Sequence, residues 1–392
     1  MDIVDRWMLP DGVDEVLPPQ AAHLESVRRE LLDIFGSWGY ELVIPPMVEF
    51  LESLLTGTGT DLDLKTFKIT DQLSGRMMGI RADITPQVAR IDAHSLNRSG
   101  DVRLCYAGTV LHAKADNMLA SRTPISVGAE LFSNSDKQGD LEIVSLMIQS
   151  ITQFTPSSPH VELGDVGIYR ELMLIANLDS HDEEALFELI QRKAMPDLGK
   201  MIASLKLPDA LAKIISALPN LSGGDEVLEE GRILFEAYPN ILERLDNLAQ
   251  VSNGIKRRFK TIDIYYDLSE LRGYNYHTGI VFAAYLRNTG QRVAKGGRYD
   301  GVGNVFGRAR CATGFDIDLK ALASVLEPSA NKTRKICVKP DAFKEDDCWI
   351  KISSLRNEGH IVVEGEALGC DLSLTKEDGS WVLIQNSKSN LN

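Results

Sequence analysis

The spacing of apolar residues predicts an amphipathic helix near the start of the chain. Between residues 20 and 35, apolar side chains recur every three or four positions, as along one face of a helix; they are Leu24, Val27, Leu31 and Ile34. Gly36 and Gly39 end this pattern. Residues 40–44 then alternate loosely and lead into Pro45, which predicts a strand followed by a rigid extended stretch.

Six further segments have the composition and length of strands. They are separated by turns or by helix-like stretches, and they do not alternate strictly with helices. This arrangement favours the α+β class, with a largely antiparallel sheet flanked by helices. The six segments are residues 76–80, 102–108, 125–132, 161–164, 261–267 and 279–285.

The middle and the end of the chain have different patterns. Between about residues 172 and 251, apolar residues recur at helical spacing between short Pro or Gly breaks. We interpret this stretch as a helical insertion within a domain that spans residues 1–328. Residues 329–333 have the composition of a linker, so residues 329–392 are predicted to form a reduced C-terminal domain, smaller than most independent domains.

Length and composition are those of an ordinary globular protein. The chain has 392 residues, of which 44% are hydrophobic and 25% are charged, so it can bury more than one core. No run of eighteen or more apolar residues is present, and Asp2 and Asp5 stand where a signal peptide would be basic. We therefore expect a cytoplasmic protein that does not bind a membrane.

Cysteine usage and net charge narrow the possible partners. The five cysteines form no CxxC pair, so we expect reduced, structural thiols and neither disulfides nor a metal site. The formal net charge of -14 opposes a polyphosphate partner such as tRNA at long range. A local basic groove can overcome such an excess of acid, so charge alone does not exclude tRNA.

Three stretches place chemically active side chains at specific spacings. Residues 79–90 are GIRADITPQVAR, residues 270–282 are ELRGYNYHTGIVF, and residues 296–301 are GGRYDG, with ATGF following at 312–315. Each stretch alone admits a plain structural interpretation, such as a turn or a helix cap. Together, and in this order, they resemble the histidyl-tRNA synthetase family over about residues 8–324. The RADITPQ form is similar to the paralogues that act as regulatory subunits of ATP phosphoribosyltransferase.

The resemblance implies a class II aminoacyl-tRNA synthetase-like fold, with an antiparallel sheet flanked by helices. It also implies a loss of catalysis. His112 and Lys114 stand where the synthetases place an arginine for the α-phosphate of ATP and a glutamate for the adenine. Neutral histidine lacks the guanidinium fork, and lysine cannot accept a hydrogen bond from the adenine amino group.

A second arginine of that family is also missing. Ala321 stands at its position, and a helix would point the neighbouring Lys320 about a hundred degrees away. Losing both arginines removes stabilisation of the charge that develops on a transferring phosphate. We therefore expect no catalytic residues, no cofactor and no bound metal.

The resemblance implies that a pocket for free histidine is partly retained. Asp83 and Glu130 would hold an ammonium or ring nitrogen, Thr85 would add a hydroxyl, and Arg272 would pair with the carboxylate. Tyr276, His277 and Tyr299 would line the imidazole side, and Ser126 stands where the synthetases have a glutamine. Two alternatives stay open: an internal polar network that binds nothing, or a pocket for a different ligand.

The function implied by the resemblance is regulatory. We expect a non-catalytic subunit that binds and activates the short-form ATP phosphoribosyltransferase catalytic subunit, with free L-histidine as its feedback effector in histidine biosynthesis. It would self-associate into at least a dimer and would not bind tRNA, because residues 329–392 are too few for an anticodon-binding domain. The alternatives are an amino-acid-sensing module for another partner and, against the departures above, a histidyl-tRNA synthetase.

Overall fold

The computed structural model describes residues 7–57, 59–115, 120–133, 139–155, 158–301, 303, 306–308, 310–326, 334–366 and 369–386. It divides into two compact units, Met1–Leu326 and Glu327–Asn392. The predicted linker at residues 329–333 lies outside the described residues.

Sixteen strands are described, and they form three sheets. In chain order they are β1 Glu41–Leu42, β2 Val48–Phe50, β3 Phe67–Thr70, β4 Met77–Ile80, β5 Val102–Thr109, β6 Ile125–Ser133, β7 His160–Asp165, β8 Ser222–Gly223, β9 Asp263–Asp267, β10 Ile280–Tyr285, β11 Arg292–Arg298, β12 Cys311–Asp318, β13 Lys335–Val338, β14 Ile361–Glu364, β15 Leu372–Glu377 and β16 Ser380–Gln385.

The largest sheet has nine strands in the order β1-β5-β6-β12-β11-β10-β7-β9-β8. Only its β1–β5 and β7–β9 pairs are parallel, among the described residues. Strands β2, β4 and β3, which lie between β1 and β5 in the chain, form a separate small antiparallel sheet. The prediction of a largely antiparallel sheet flanked by helices is therefore confirmed.

Thirteen α-helices are described. They are α1 Gln20–Ser37, α2 Leu51–Leu55, α3 Thr60–Lys65, α4 Thr85–Arg90, α5 Gly139–Thr152, α6 Val166–Ala176, α7 Ser180–Gln191, α8 Met195–Ser204, α9 Asp209–Ala217, α10 Glu226–Leu234, α11 Pro239–Arg258, α12 Leu319–Ser324 and α13 Asp346–Asn357. A π-helical segment, Ile91–Leu96, continues α4.

The six strands predicted from composition are all present, and each of their ends lies within two residues of the prediction. The predicted helix at 20–35 is α1, which buries Val27, Leu31 and Phe35. The ring of Phe35 meets that of Phe315 on β12 edge to face, with 5.7 Å between centroids. The predicted strand at 40–44 is reduced to the two residues of β1. The helical insertion is present as α6 to α11, interrupted by β8.

The second unit has its own four-stranded sheet, in the order β14-β13-β15-β16, and its own small core. Here the expectation of reduced thiols was wrong for one pair, because Cys337 and Cys370 form a disulfide. Cys337 lies on β13, which pairs in parallel with β15, and Cys370 lies just before β15. Strand pairing across 33 residues brings the two Cα atoms to 5.8 Å, and spacing along the chain does not reveal such pairing.

Each helix in the described part of the chain is too short or too polar to span a bilayer.

A buried ion pair joins the π-helical segment to the large sheet. Arg310, next to β12, donates from Nη1 to both carboxylate oxygens of Asp92 at 2.9 and 3.1 Å, and from Nη2 to the carbonyl oxygen of Phe132 at 3.0 Å. Both charged side chains are 3% exposed. Burial raises the pKa of Asp92, although Arg310 acts in the opposite direction.

Arg310→Ala is expected to lower the free energy of unfolding by about 3–5 kcal/mol, because it leaves the buried Asp92 without its counter-charge. Urea denaturation followed by circular dichroism measures this change. Arg232→Ala is the matched control: it removes a half-exposed pair with Asp246 in the helical insertion and should cost only about 0–1 kcal/mol. Equal losses in the two variants would contradict the prediction.

Candidate functional site

A cavity of about 250 Å³ lies against strands β6, β10, β11 and β12. Seven of the eight residues predicted for the histidine pocket line it, namely Asp83, Thr85, Glu130, Arg272, Tyr276, His277 and Tyr299. The eighth, Ser126, lines an adjoining cavity of about 140 Å³. The two cavities share Asp83, Arg292, Lys295 and Asp316 in their walls.

The register of the sheet makes room for this cavity. Glu130 on β6 pairs with Gly314 on β12, and Gly314 pairs with Gly297 on β11. Directly paired residues of antiparallel strands point to the same face. A Cβ at position 314 would overlap the Glu130 carboxylate, and a Cβ at position 297 would lie 2.9 Å from Nδ1 of His277. The absence of two side chains therefore leaves the space that Glu130 and His277 occupy.

The carboxyl group of Glu130 is the buried centre of the site. Tyr299 donates to its Oε2 at 2.5 Å, while Thr85 and Tyr106 donate to its Oε1 at 2.8 and 3.3 Å. Burial raises the pKa of Glu130 to about 8, because it outweighs the opposing hydrogen bonds from Tyr299 and Thr85. At neutral pH this carboxyl is therefore largely protonated in the absence of a ligand.

Three aromatic rings form one wall. The rings of Tyr276 and Tyr299 stack with 5.1 Å between centroids, and His277 meets Tyr276 edge to face. Nδ1 of His277 lies 3.3 Å from the carbonyl oxygen of Arg298, which can only accept, so Nδ1 carries the hydrogen. Burial lowers the pKa of His277 to about 4. The His277 side chain in this wall is therefore a neutral imidazole whose Nε2 can accept a hydrogen bond.

Arg272 is enclosed by acids of its own chain. Its Nε donates to Glu270 Oε2 at 2.7 Å and its Nη1 donates to the Tyr285 hydroxyl at 2.7 Å. Nη2 contacts both Glu270 and Glu162. Burial raises the pKa of Glu162, and the adjacent Glu270 raises it further. Burial also acts against ionisation of Glu270, but the hydrogen bonds from Arg272 outweigh it and lower the pKa of Glu270.

Asp83 and Ser126 lie where the two cavities adjoin. Oδ1 of Asp83 accepts from the backbone N–H of Thr85 at 2.9 Å, at the first residue of α4. Ser126 donates to Asp316 at 3.1 Å. Burial raises the pKa of Asp316. Ser126 is four residues from Glu130 along β6, about 13 Å of strand, and it lines the adjoining cavity.

Four residues stand at or beside the positions where the resemblance implies ATP contacts: His112, Lys114, Lys320 and Ala321. Nε2 of His112 lies 3.0 Å from the carbonyl oxygen of Ala82, and Ala321 is buried. Lys320 donates to Asp14 at 2.9 Å and to Thr123 at 3.2 Å. Lys114 is exposed. None of these four residues offers the guanidinium fork that suits a phosphate oxygen.

Sequence reasoning missed seven polar residues of this site. Tyr106 bonds to Glu130, and the other six line the central cavity, namely Lys65, Glu162, Glu270, Arg292, Lys295 and Asp316. An acid inside the short apolar strand β7 was the available signal for Glu162. Glu270 lies two residues before Arg272 and could have been considered with it. Among the described residues, no group of three or more His, Cys, Asp and Glu is arranged to hold a metal ion.

Comparison with known proteins gives consistent matches. The family model described as histidyl-tRNA synthetase matches residues 12–322. A protein of Chromohalobacter salexigens named ATP phosphoribosyltransferase regulatory subunit is 51% identical, with 97% of this chain and 98% of that protein covered. A homologue of the same name from Stutzerimonas stutzeri is 48% identical over 98% of this chain and 99% of its own length.

Two solved structures share the fold. A Bacillus halodurans protein described as an ATP phosphoribosyltransferase regulatory subunit/histidyl-tRNA synthetase has a TM-score of 0.81, at 23% identity and with 94% of this chain and 95% of that one covered. A chain of the ATP phosphoribosyl transferase (HisG:HisZ) complex from Thermotoga maritima has a TM-score of 0.57, at 19% identity and with 76% of this chain and 97% of that one covered.

The raised pKa of Glu130 predicts a pH-dependent loss of stability. The pKa of Glu130 is higher in the folded protein, at about 8, than the value of 4.5 expected for the unfolded chain. Its protonated form therefore stabilises the folded protein fully below pH 4.5, and this stabilisation is lost as the pH rises through about 8. The glutamine side chain of Glu130→Gln cannot ionise, so the stability of this variant lacks the pH-dependent contribution of Glu130. We expect the melting temperature of the wild type, relative to that of Glu130→Gln, to fall from pH 5 to pH 9. A difference that stays constant across this range would show that Glu130 does not titrate as described.

Proposed function

The chain belongs to the family of ATP phosphoribosyltransferase regulatory subunits, within the wider histidyl-tRNA synthetase family, and on that basis we propose that it is the non-catalytic, histidine-sensing subunit of a short-form ATP phosphoribosyltransferase. One observation carries the proposal. The cavity keeps polar groups suited to an amino acid, whereas His112 and Ala321 stand at the phosphate-binding positions and cannot supply a guanidinium.

Free L-histidine is the proposed effector. Its imidazole would bind against the wall formed by Tyr276, His277 and Tyr299, with a ring N–H directed at Glu130. Its ammonium would bind near Asp83 and Thr85. Its carboxylate would bind Arg272. These roles use opposite charges and complementary hydrogen bonds at positions that line one cavity.

The proposed partner is the catalytic subunit. The related Thermotoga maritima chain was solved in a complex named HisG:HisZ, which supports an assembly of this kind. Histidine bound here would have to favour an enzyme state that turns over its substrates less well, since coupling between two sites requires different affinities for two states. We propose further that the chain forms at least a dimer, does not use tRNA and acts in the cytoplasm at the first step of histidine biosynthesis.

The first test mixes the purified chain with a short-form ATP phosphoribosyltransferase and follows phosphoribosyl-ATP formation. We expect no activity from the chain alone, a higher rate from the mixture than from the catalytic subunit alone, and a fall in that rate when L-histidine is added. A catalytic rate that the chain leaves unchanged, with or without histidine, would refute the regulatory role.

A second test addresses the pocket. Asp83→Asn keeps an oxygen that can accept from the Thr85 amide but removes the charge proposed to hold the ammonium. Calorimetric titration should show L-histidine binding weakened about tenfold or more, the loss expected for one charged hydrogen bond. Asp179→Asn is the matched control, because Asp179 accepts from the Asp182 amide at the start of α7, outside the cavity. Equal affinities in both variants would argue against the ammonium site.

A further inference from the structure

The cation proposed to hold the effector's carboxylate is already paired within the chain. A guanidinium has five N–H donors. Arg272 directs four hydrogen bonds from them, two to Glu270, one to Glu162 and one to the Tyr285 hydroxyl. Glu162, Glu270 and Arg272 all line the same cavity. A third carboxylate that approached Arg272 would therefore meet two acids as well as the cation.

The two acids are held differently. Glu270 lies two residues before Arg272 and also accepts from the Arg272 backbone N–H at 2.6 Å, so the local chain fixes it. Glu162 reaches Nη2 from the separate strand β7, where it pairs with the small residue Ala283 on β10. Of the two, Glu162 is the carboxylate with fewer local constraints.

Glu162 also has space to move away. Besides the central cavity, it lines an outer cavity together with His160, Tyr265 and Arg287. Burial raises the pKa of Glu162. Protonating this carboxylate once it has left the guanidinium therefore costs less free energy than for an exposed glutamate. A cationic side chain, that of Arg287, lies in the wall of the outer cavity.

We propose that Glu162 is a specificity-determining residue that competes with the effector's carboxylate for Arg272, so that this carboxylate binds only by displacing Glu162. The inference rests on the proposed function, because it takes a free amino acid as the ligand. It predicts that the carboxylate of L-histidine adds little to the affinity of the wild type. Histamine, which has the imidazole and the ammonium but no carboxylate, then binds almost as well.

The test compares these two ligands on the full-length chain. Glu162→Gln keeps the shape of the side chain and removes its charge. We expect calorimetry to show L-histidine bound about tenfold more tightly by Glu162→Gln than by the wild type, and histamine affinity changed by less than about twofold. The ratio of the two affinities is the decisive quantity, because a general disturbance of the cavity would change both. A ratio that is unchanged, or that shifts towards histamine, overturns the inference.

Controls separate this inference from the proposed function. Glu142→Gln alters a similar half-buried pair, in which Arg103 donates to Glu142 at 2.7 and 2.8 Å outside the cavity, and should leave both affinities unchanged. Glu162→Asp, shorter by one methylene, replaces Glu162→Gln if that variant does not fold, and should shift the ratio in the same direction. Histidine binding by the wild type with an unchanged ratio refutes only the role of Glu162. Binding of neither ligand to either protein refutes the proposed pocket together with this inference.

Discussion

The register that sets Glu130 opposite Gly314 is the constraint on which the site depends. Paired residues of antiparallel strands share a face, so a side chain at position 314 or 297 would fill the space above the sheet. A buried carboxyl and a buried imidazole occupy that space instead. Shifting β12 by a single residue would turn Gly314 to the opposite face and place the side chain of Thr313 or Phe315 against Glu130.

The two ends of the cavity balance charge in different ways. Around Glu130, three hydroxyl groups donate, and burial keeps the carboxyl largely neutral near pH 7. At the other end, Arg272 keeps its charge and is surrounded by Glu162 and Glu270. A neutral acceptor end favours a ligand ring that donates a hydrogen bond. The end around Arg272 can bind a ligand carboxylate only if one of the two glutamates moves away. It can therefore discriminate between ligands with and without a carboxylate, which the end around Glu130 would bind alike.

The sequence indicated most of the elements because their patterns are local. The strand-like composition of β6 and the helical spacing in α7 to α11 depend on residues close in the chain. Strand β11 was not predicted from composition, because Gly296 and Gly297 weaken its pattern. A side chain at position 297 would overlap His277 in the wall of the cavity. The seven cavity residues were found through the motif resemblance, because apolar and polar periodicity contains no information about a pocket.

The parts that were missed depend on pairing between distant segments. Glu162 enters the cavity because β7 pairs with β10, more than a hundred residues later, and the Cys337–Cys370 disulfide depends on a similar pairing. Ser126 was assigned to the pocket by its place in a motif. Its strand fixes it about 13 Å from Glu130, and it bonds to Asp316 in the adjoining cavity.

His112 and Lys320, which stand at and beside the positions of the two implied ATP-binding arginines, have structural partners of their own. Lys320 ties α12 to Asp14 in the N-terminal segment, and His112 bonds to the Ala82 carbonyl next to Asp83. An arginine at position 112 would therefore remove the contact with the Ala82 carbonyl as well as adding a charge. A ligand shifts an equilibrium only through its different affinities for two states, and an internal carboxylate that must be displaced from Arg272 gives the site two states to distinguish.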